Sequence, residues 1–134
     1  MADLFPDVNL KQVVANRLVA NTSLTGTALR TELGSLTGTL NANSQGIVDA
    51  TGIEFLTGIT FLRLQNNQLT SIDLSNNTAL WALWVQEQGQ PNTTVTIPQA
   101  VNALRIAQAG NGATHNPGQG NWRWDADTIF VPVP

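Results

Sequence analysis

Cysteine is absent from the 134 residues. Disulfides and thiolate metal sites are therefore excluded, and the chain carries no marker of its redox compartment. Charge is scarce as well: Asp, Glu, Lys and Arg make up 11%, and the formal net charge is −3. The six basic residues, Lys11, Arg17, Arg30, Arg63, Arg105 and Arg123, are scattered. With no basic stripe to neutralise phosphates, nucleic acid is not an expected partner. No apolar run approaches the ~20 residues needed to span a bilayer, so this segment is not expected to cross a membrane. The start, MADLFPDVNL, lacks the apolar stretch of a secretory signal. That leaves two expectations, a cytosolic protein or a chain whose signal has been removed.

Catalytic signatures are equally thin. The one histidine, His115, sits among Gly, Asn and Pro and reads as a loop residue. There is no G-x-S-x-G nucleophile turn and no Gly-rich phosphate loop. The nine carboxylates are mostly isolated, and the one close pair, Asp125 and Asp127, falls short of the six or more oxygens that calcium takes. Spacing alone leaves a spatial pair of glycosidase carboxylates open. The expectation is a non-enzyme with no cofactor and no metal.

What the chain does have is a rhythm. In LRLQNNQLTSIDLSNNTALWALWV, residues 62–85, aliphatic residues return at 62, 64, 69, 72, 74, 80, 83 and 85. Shifting Leu62 and Leu64 forward by 21 positions gives Leu83 and Val85, and a further 21 gives Leu104 and Ile106. Shifting back by 22 gives Leu40 and Ala42. Four short strands of pattern Φ-x-Φ (Φ apolar) are therefore expected at 40–42, 62–64, 83–85 and 104–106. A unit of 21–22 residues is too short to hide its own apolar row, so successive units must stack as a parallel solenoid. Asn67 and Asn77 fall where the chain leaves a straight edge, and their amides are expected to satisfy backbone groups of the adjoining coil.

The pattern LxxLxLxxNxLTSIDLSNNxxL resembles the bacterial leucine-rich repeat of 21–22 residues. FPDVNLKQVVANRL, LTGTALRTELGSLTGTL and GIEFLTGITFLRLQNNQLTSIDLS are similar to the cap and first repeats of internalin-type surface proteins. The resemblance covers roughly residues 4–85. The expected fold class is α/β: a short leucine-rich-repeat solenoid of about four parallel-strand coils, with an N-terminal helical cap and a C-terminal strand lid. Residues 1–36 are expected to form the cap, 37–107 the repeats, and 108–134 a loop and capping strand that begins a linker into further chain.

In the cap, Leu10, Val13, Val14 and Leu18 share one helical face behind Asp7 as N-cap. A second helix is expected from Thr27 to Gly34, with Ala28, Leu29 and Leu33 inward. Residues 107–122 read as a loop, and RWDADTIFV as a last strand anchored by Trp124, Ile129 and Val131, either a lid on the fourth coil or the beginning of a second sheet domain.

The strand face is where binding residues are expected. The central positions of the four Φ-x-Φ triplets, Asn41, Arg63, Trp84 and Arg105, point away from the core and form a column. Arg63 and Arg105 are then expected to flank Trp84 at strand spacing of about 5 Å, within cation–π reach. Phe61, Gln65 and Gln86 lie on the same face, and an exposed Trp beside Arg is typical of binding hot spots. Trp81 reads as a packing residue on the convex side or an edge, and Trp122 and Trp124 as terminal core.

The resemblance implies a secreted or surface-attached bacterial chain, extracellular in location and monomeric. It implies adhesion-type binding of a host or neighbouring protein through the concave face. With about four coils, micromolar affinity is expected. Three alternatives stand beside this: a glycan-binding module that stacks sugars on Trp84 and on Trp122 or Trp124, a spacer or capping domain with no ligand, and an enzyme fragment whose catalytic residues lie elsewhere.

Overall fold

Leu62 lies in register with Leu40 on one side and Leu83 on the other, all three buried. The periodicity thus becomes a physical stack. The computed structural model describes residues 4–18, 24–109 and 120–134. Its elements in order are helices α1 (Val8–Leu18) and α2 (Gly26–Ser35), strand β1 (Gly38–Asn41) and a 3-10 turn (Ile53–Phe55). Then come β2 (Ile59–Arg63), β3 (Ser71–Asp73), β4 (Ala82–Trp84), β5 (Thr94–Pro98), helix α3 (Gln99–Ala109), β6 (Trp122–Arg123) and β7 (Ile129–Val133). Two parallel sheets form the sides of the solenoid, one ordered β1-β2-β4-β6 and the other β3-β5-β7. Each coil therefore contributes one strand to each side once the stack is under way. The apolar rows of all coils meet between the sheets, with Leu40, Ile47, Leu64, Leu74, Val85 and Ile97 without solvent exposure.

Amide ladders hold the coils in register. Asn67 is buried; its Oδ1 accepts from the backbone N–H of Gln45 (3.1 Å) and Ile47 (3.0 Å) in the preceding coil. Its Nδ2 donates to the carbonyls of Ala42 (2.9 Å) and Leu64 (2.9 Å). Asn77 Nδ2 likewise donates to the Ile53 carbonyl (2.9 Å) and the Leu56 carbonyl (3.2 Å). Both amides act as the sequence predicts. The next member of the first ladder is a residue that sequence reasoning passed over, Gln88. Its Oε1 accepts from Leu69 N–H (3.0 Å), and its Nε2 donates to the carbonyls of Leu64 (2.8 Å) and Val85 (3.2 Å). The chain leaves each strand through a left-handed residue at matching positions, Ser44 (φ 56°), Asn66 (φ 60°) and Glu87 (φ 60°).

The cap closes the open end of the first coil. Leu10, Val14 and Leu18 are buried and Val13 packs beside them, as their spacing predicts. Asp7 binds twice: Oδ1 accepts from Asn9 and Leu10 N–H as the N-cap, and Oδ2 accepts from Val48 (2.8 Å) and Asp49 (3.1 Å) in the first coil. Arg17 covers the bare edge of β1, donating to the carbonyls of Thr39 (2.6 Å) and Thr37 (2.7 Å). An uncovered strand edge is a template for unwanted pairing. Phe5 lies against Gly52, whose φ of +107° and close aromatic neighbour leave no room for a Cβ. In α2, Leu29 and Leu33 are buried, but Ala28 is exposed rather than inward.

The fourth coil differs from expectation. Residues 104–106 are not a strand; they lie within α3. The pattern Leu104-x-Ile106 has the spacing of a strand, but Val101, Asn102 and Arg105 supply the buried helical face at i, i+1 and i+4. Ile106 is left exposed. The expected end of the repeats at 107 accordingly falls inside α3. The fourth strand of the first sheet is β6, where Trp122 pairs with Leu83 and Arg123 with Trp84. Residues 99–121 are thus inserted between the third and fourth coils. The stretch RWDADTIFV, expected as one strand, is divided between β6 and β7; β7 joins the second sheet against β5, and of the expected anchors Trp124 is buried while Ile129 and Val131 are exposed. His115 and most of the expected 107–122 loop lie outside the described residues, and residues 107–109 of that stretch belong to α3.

Candidate binding face

Alternation along β1, β2, β4 and β6 sends one residue of each triplet outward, and the parallel register lines those residues up. The column reads Asn41, Arg63, Trp84, Arg123. The backbone ladder continues beneath it, with Ala42 N–H on the Arg63 carbonyl (2.9 Å), Leu64 N–H on the Trp84 carbonyl (2.8 Å) and Val85 N–H on the Arg123 carbonyl (2.9 Å). Strand pairing therefore fixes where these side chains start.

Trp84 lies between two guanidinium groups. Arg63 Cζ is 4.1 Å from its ring centroid and Arg123 Cζ is 3.6 Å from it. A guanidinium over the face of a tryptophan is attracted by the ring quadrupole. The indole Nε1 donates to the Gly120 carbonyl at 3.0 Å, which fixes the ring in its plane. Phe61 meets Trp84 edge-on, with centroids 5.2 Å apart and planes at 77°, and Arg63 Cζ also lies 5.7 Å from the Phe61 ring. Trp81 follows Phe61 at 6.1 Å. A continuous aromatic and cationic patch results, Trp81–Phe61–Trp84 with an arginine on each side of Trp84.

The sequence-predicted residues divide clearly. Phe61, Arg63 and Trp84 come together as expected, and Asn41 is exposed at the capped end of the column. Gln65 and Gln86 follow in the next column but are only 8% and 9% exposed, so they form the floor of the face. Arg105 does not belong to the face. It is on α3, 2% exposed, with its guanidinium 3.8 Å from the Phe130 ring centroid and 4.9 Å from that of Trp124. Its Nε and Nη2 donate to Asn102 Oδ1 at 3.1 and 2.8 Å. Loss of solvent lowers its pKa from the usual arginine value. Arg105 thus pins α3 to the fourth coil.

Arg123 takes the place expected of Arg105. The missed signal was WRW at 122–124: it is the same Φ-x-Φ triplet as LRL and LWV, with aromatic flanks. Trp122 and Trp124 are buried, as expected for terminal core, and Trp122 Nε1 donates to Gln108 Oε1 (2.7 Å). Burial removes both as sugar platforms. Trp81, expected to be a packing residue away from the face, is 46% exposed and extends the patch through Phe61.

The acidic residues are used in turns. Asp125 accepts from Glu87 and Gln88 N–H (2.8 and 3.3 Å), and Asp127 from Asn92 N–H (3.0 Å). Among the described residues, no group of three or more His, Cys, Asp or Glu is arranged to hold a metal. Nor is any helix long and apolar enough to cross a membrane. At the other end, burial works to raise the Asp7 pKa. The N–H groups of Val48, Asp49, Leu10 and Asn9 outweigh that and hold the carboxyl below its usual value.

Comparison with known proteins fits this geometry. No family model matches the chain. Internalin J of Listeria monocytogenes is 41% identical over 76 residues, which are 57% of this chain and 8% of that protein. This is an internalin-type leucine-rich-repeat fold. The solved functional domain of InlJ superimposes with a TM-score of 0.56 at 30% identity, covering 71% of this chain and 24% of that one. The internalin InlF structure covers 98% of this chain and 33% of its own, with a TM-score of 0.61 at 24% identity, and shows the fold alone. The InlJ domain is described as including a cysteine ladder. With no cysteine, the present internalin-like chain stitches its coils with Asn67 and Gln88 instead.

Proposed function

We propose that this domain is a non-enzymatic, adhesion-type protein-binding module of a secreted or surface-attached bacterial protein, acting outside the cell. Homology to internalin J supports a protein-interaction role in general. The observation that carries the binding face is Trp84 held between Arg63 and Arg123, with Phe61 and Trp81 beside it. Recognition works through preorganisation. The strands fix the backbone, the indole is hydrogen-bonded, and both arginines are stacked, so little side-chain freedom is lost when a partner docks. Residues of these types anchor most interface hot spots. A host or neighbouring surface protein is the proposed ligand, bound by a monomer.

The test is capture from a surface-protein extract by the wild type and by an Arg63→Glu/Trp84→Ala double variant of matched thermal stability. A protein captured by the wild type and lost by the variant supports the face. Equal capture by both refutes it, and capture by neither favours a spacer role. A glycan array read with wild type and Trp84→Ala addresses the sugar reading, which now rests on Trp84 without Trp122 and Trp124.

A further inference from the structure

Buried polar atoms without a hydrogen-bond partner are few in folded proteins, and each calls for an explanation. Among the described residues five such side-chain atoms occur: Arg63 Nε, Gln65 Oε1, Asn77 Oδ1, Gln86 Oε1 and Arg123 Nε. Four of the five lie on the binding face, in two adjoining columns. The Nε atoms of Arg63 and Arg123 lie in one column and the Oε1 atoms of Gln65 and Gln86 in the next, all four shielded from solvent. Neither the Arg63 nor the Arg123 guanidinium has a carboxylate or hydrogen-bond partner among the described residues, and both lie against aromatic rings. The chain as a whole carries −3, so two unpaired cations side by side are a local reversal of its charge.

From this we infer that the partner presents an acidic, extended segment of polypeptide whose carboxylates meet the guanidinium groups of Arg63 and Arg123. The inference rests on the proposed binding face and adds the chemistry of its occupant. Arginine forks match carboxylates in two-point geometry. Both guanidinium carbons lie within 4.1 Å of the Trp84 ring centroid, so the two charges are less than about 8 Å apart, a distance that carboxylates two residues apart on one face of an extended chain can span. A sulfated or otherwise polyanionic glycan fits less well. Its long run of charge meets a net-acidic protein that places two arginines, Arg63 and Arg123, on the face.

The test uses a random twelve-residue peptide library displayed on phage and selected on the wild-type chain. The strongest peptides are then synthesised and titrated at two salt concentrations. The expected result is enrichment of Asp and Glu, weaker binding at higher salt, and roughly tenfold weaker binding to Arg63→Gln and Arg123→Gln. Lys11→Gln removes the same charge from the cap and is expected to bind normally. Arg63→Lys keeps the charge but not the fork and is expected to fall between. Circular dichroism and thermal unfolding of each variant separate lost binding from lost fold. Peptides without acidic residues that still lose binding to Trp84→Ala overturn the acidic partner and leave the face standing. Peptides that bind every variant equally, or no enrichment at all, overturn both. Dextran sulfate that binds more tightly than any selected peptide, and is lost in the arginine variants, overturns the polypeptide in favour of a polyanionic glycan.

Discussion

Replacing Asn67 with alanine tests the coil-stacking argument at its most exposed point. The side chain is 2% exposed and makes four good hydrogen bonds across two coils. The variant does not strand all four partners. Gln45 is at the surface, where water can reach its N–H. The Leu64 carbonyl keeps its bond from Gln88 Nε2 at 2.8 Å. The Ile47 N–H and the Ala42 carbonyl are left in the interior, each costing about 1–3 kcal/mol. The expected loss is therefore about 3 kcal/mol, large against the ~5–15 kcal/mol that holds a domain together. Gln88→Ala strands the Leu69 N–H and one bond to the Val85 carbonyl, so about 2 kcal/mol is expected. The two variants share the Leu64 carbonyl, which loses both side-chain donors only in the double variant. The double should thus be less stable than the sum of singles by about 1 kcal/mol. Urea unfolding followed by tryptophan fluorescence measures all three. An Asn67→Ala variant within 0.5 kcal/mol of wild type would mean that the amide ladder is not what binds coil to coil. Strict additivity would remove the shared-acceptor argument while leaving the ladder.

Three more outcomes follow from local geometry. Gly52→Ala places a Cβ 2.3 Å from the Phe5 ring at a φ of +107°; a loss of at least about 2 kcal/mol is expected by urea unfolding, and less if the cap is first removed by Phe5→Ala. Glu87 holds a left-handed conformation (φ 60°) with its side chain exposed, so Glu87→Asn should raise stability by about 0.5 kcal/mol, read as a higher urea midpoint. Because the folded Asp7 carboxyl titrates below its usual value, its contribution is complete above the unfolded carboxylate pKa of about 3.9 and is lost as pH falls through the folded one. The stability gap between wild type and Asp7→Ala, about 1–2 kcal/mol at neutral pH, should therefore close as the pH is taken below about 4; a gap that stays constant would refute the charge-based account of the cap.

Three coils were legible in the sequence for a reason specific to stacking. Each coil repeats the same burial problem, so Leu40, Leu62 and Leu83 had to recur at nearly fixed intervals. Asn67 was legible too, because an amide at a turn has one obvious use. Gln88 was not: a longer side chain does the same work from the equivalent position, and glutamine is common elsewhere in this chain. The fourth coil escaped because α3 enters between β5 and β6, and the shift of 21 then lands on a helix whose Leu104 and Ile106 imitate a strand. A period reports only that neighbours are equivalent. It cannot say when an insertion has suspended the equivalence. The aromatic triplet Trp122-Arg123-Trp124 carries the needed information in another form: outward arginine, inward flanks, and the same alternation as Leu62-Arg63-Leu64. Matching triplets by side-chain direction rather than by interval places Arg123 on the face and frees Arg105 for the interior. The distinction has a functional consequence. An arginine on α3 can brace the core, but only one on β6 can share Trp84 with Arg63, and the paired cations of the proposed partner site exist because β6 returns to the first sheet.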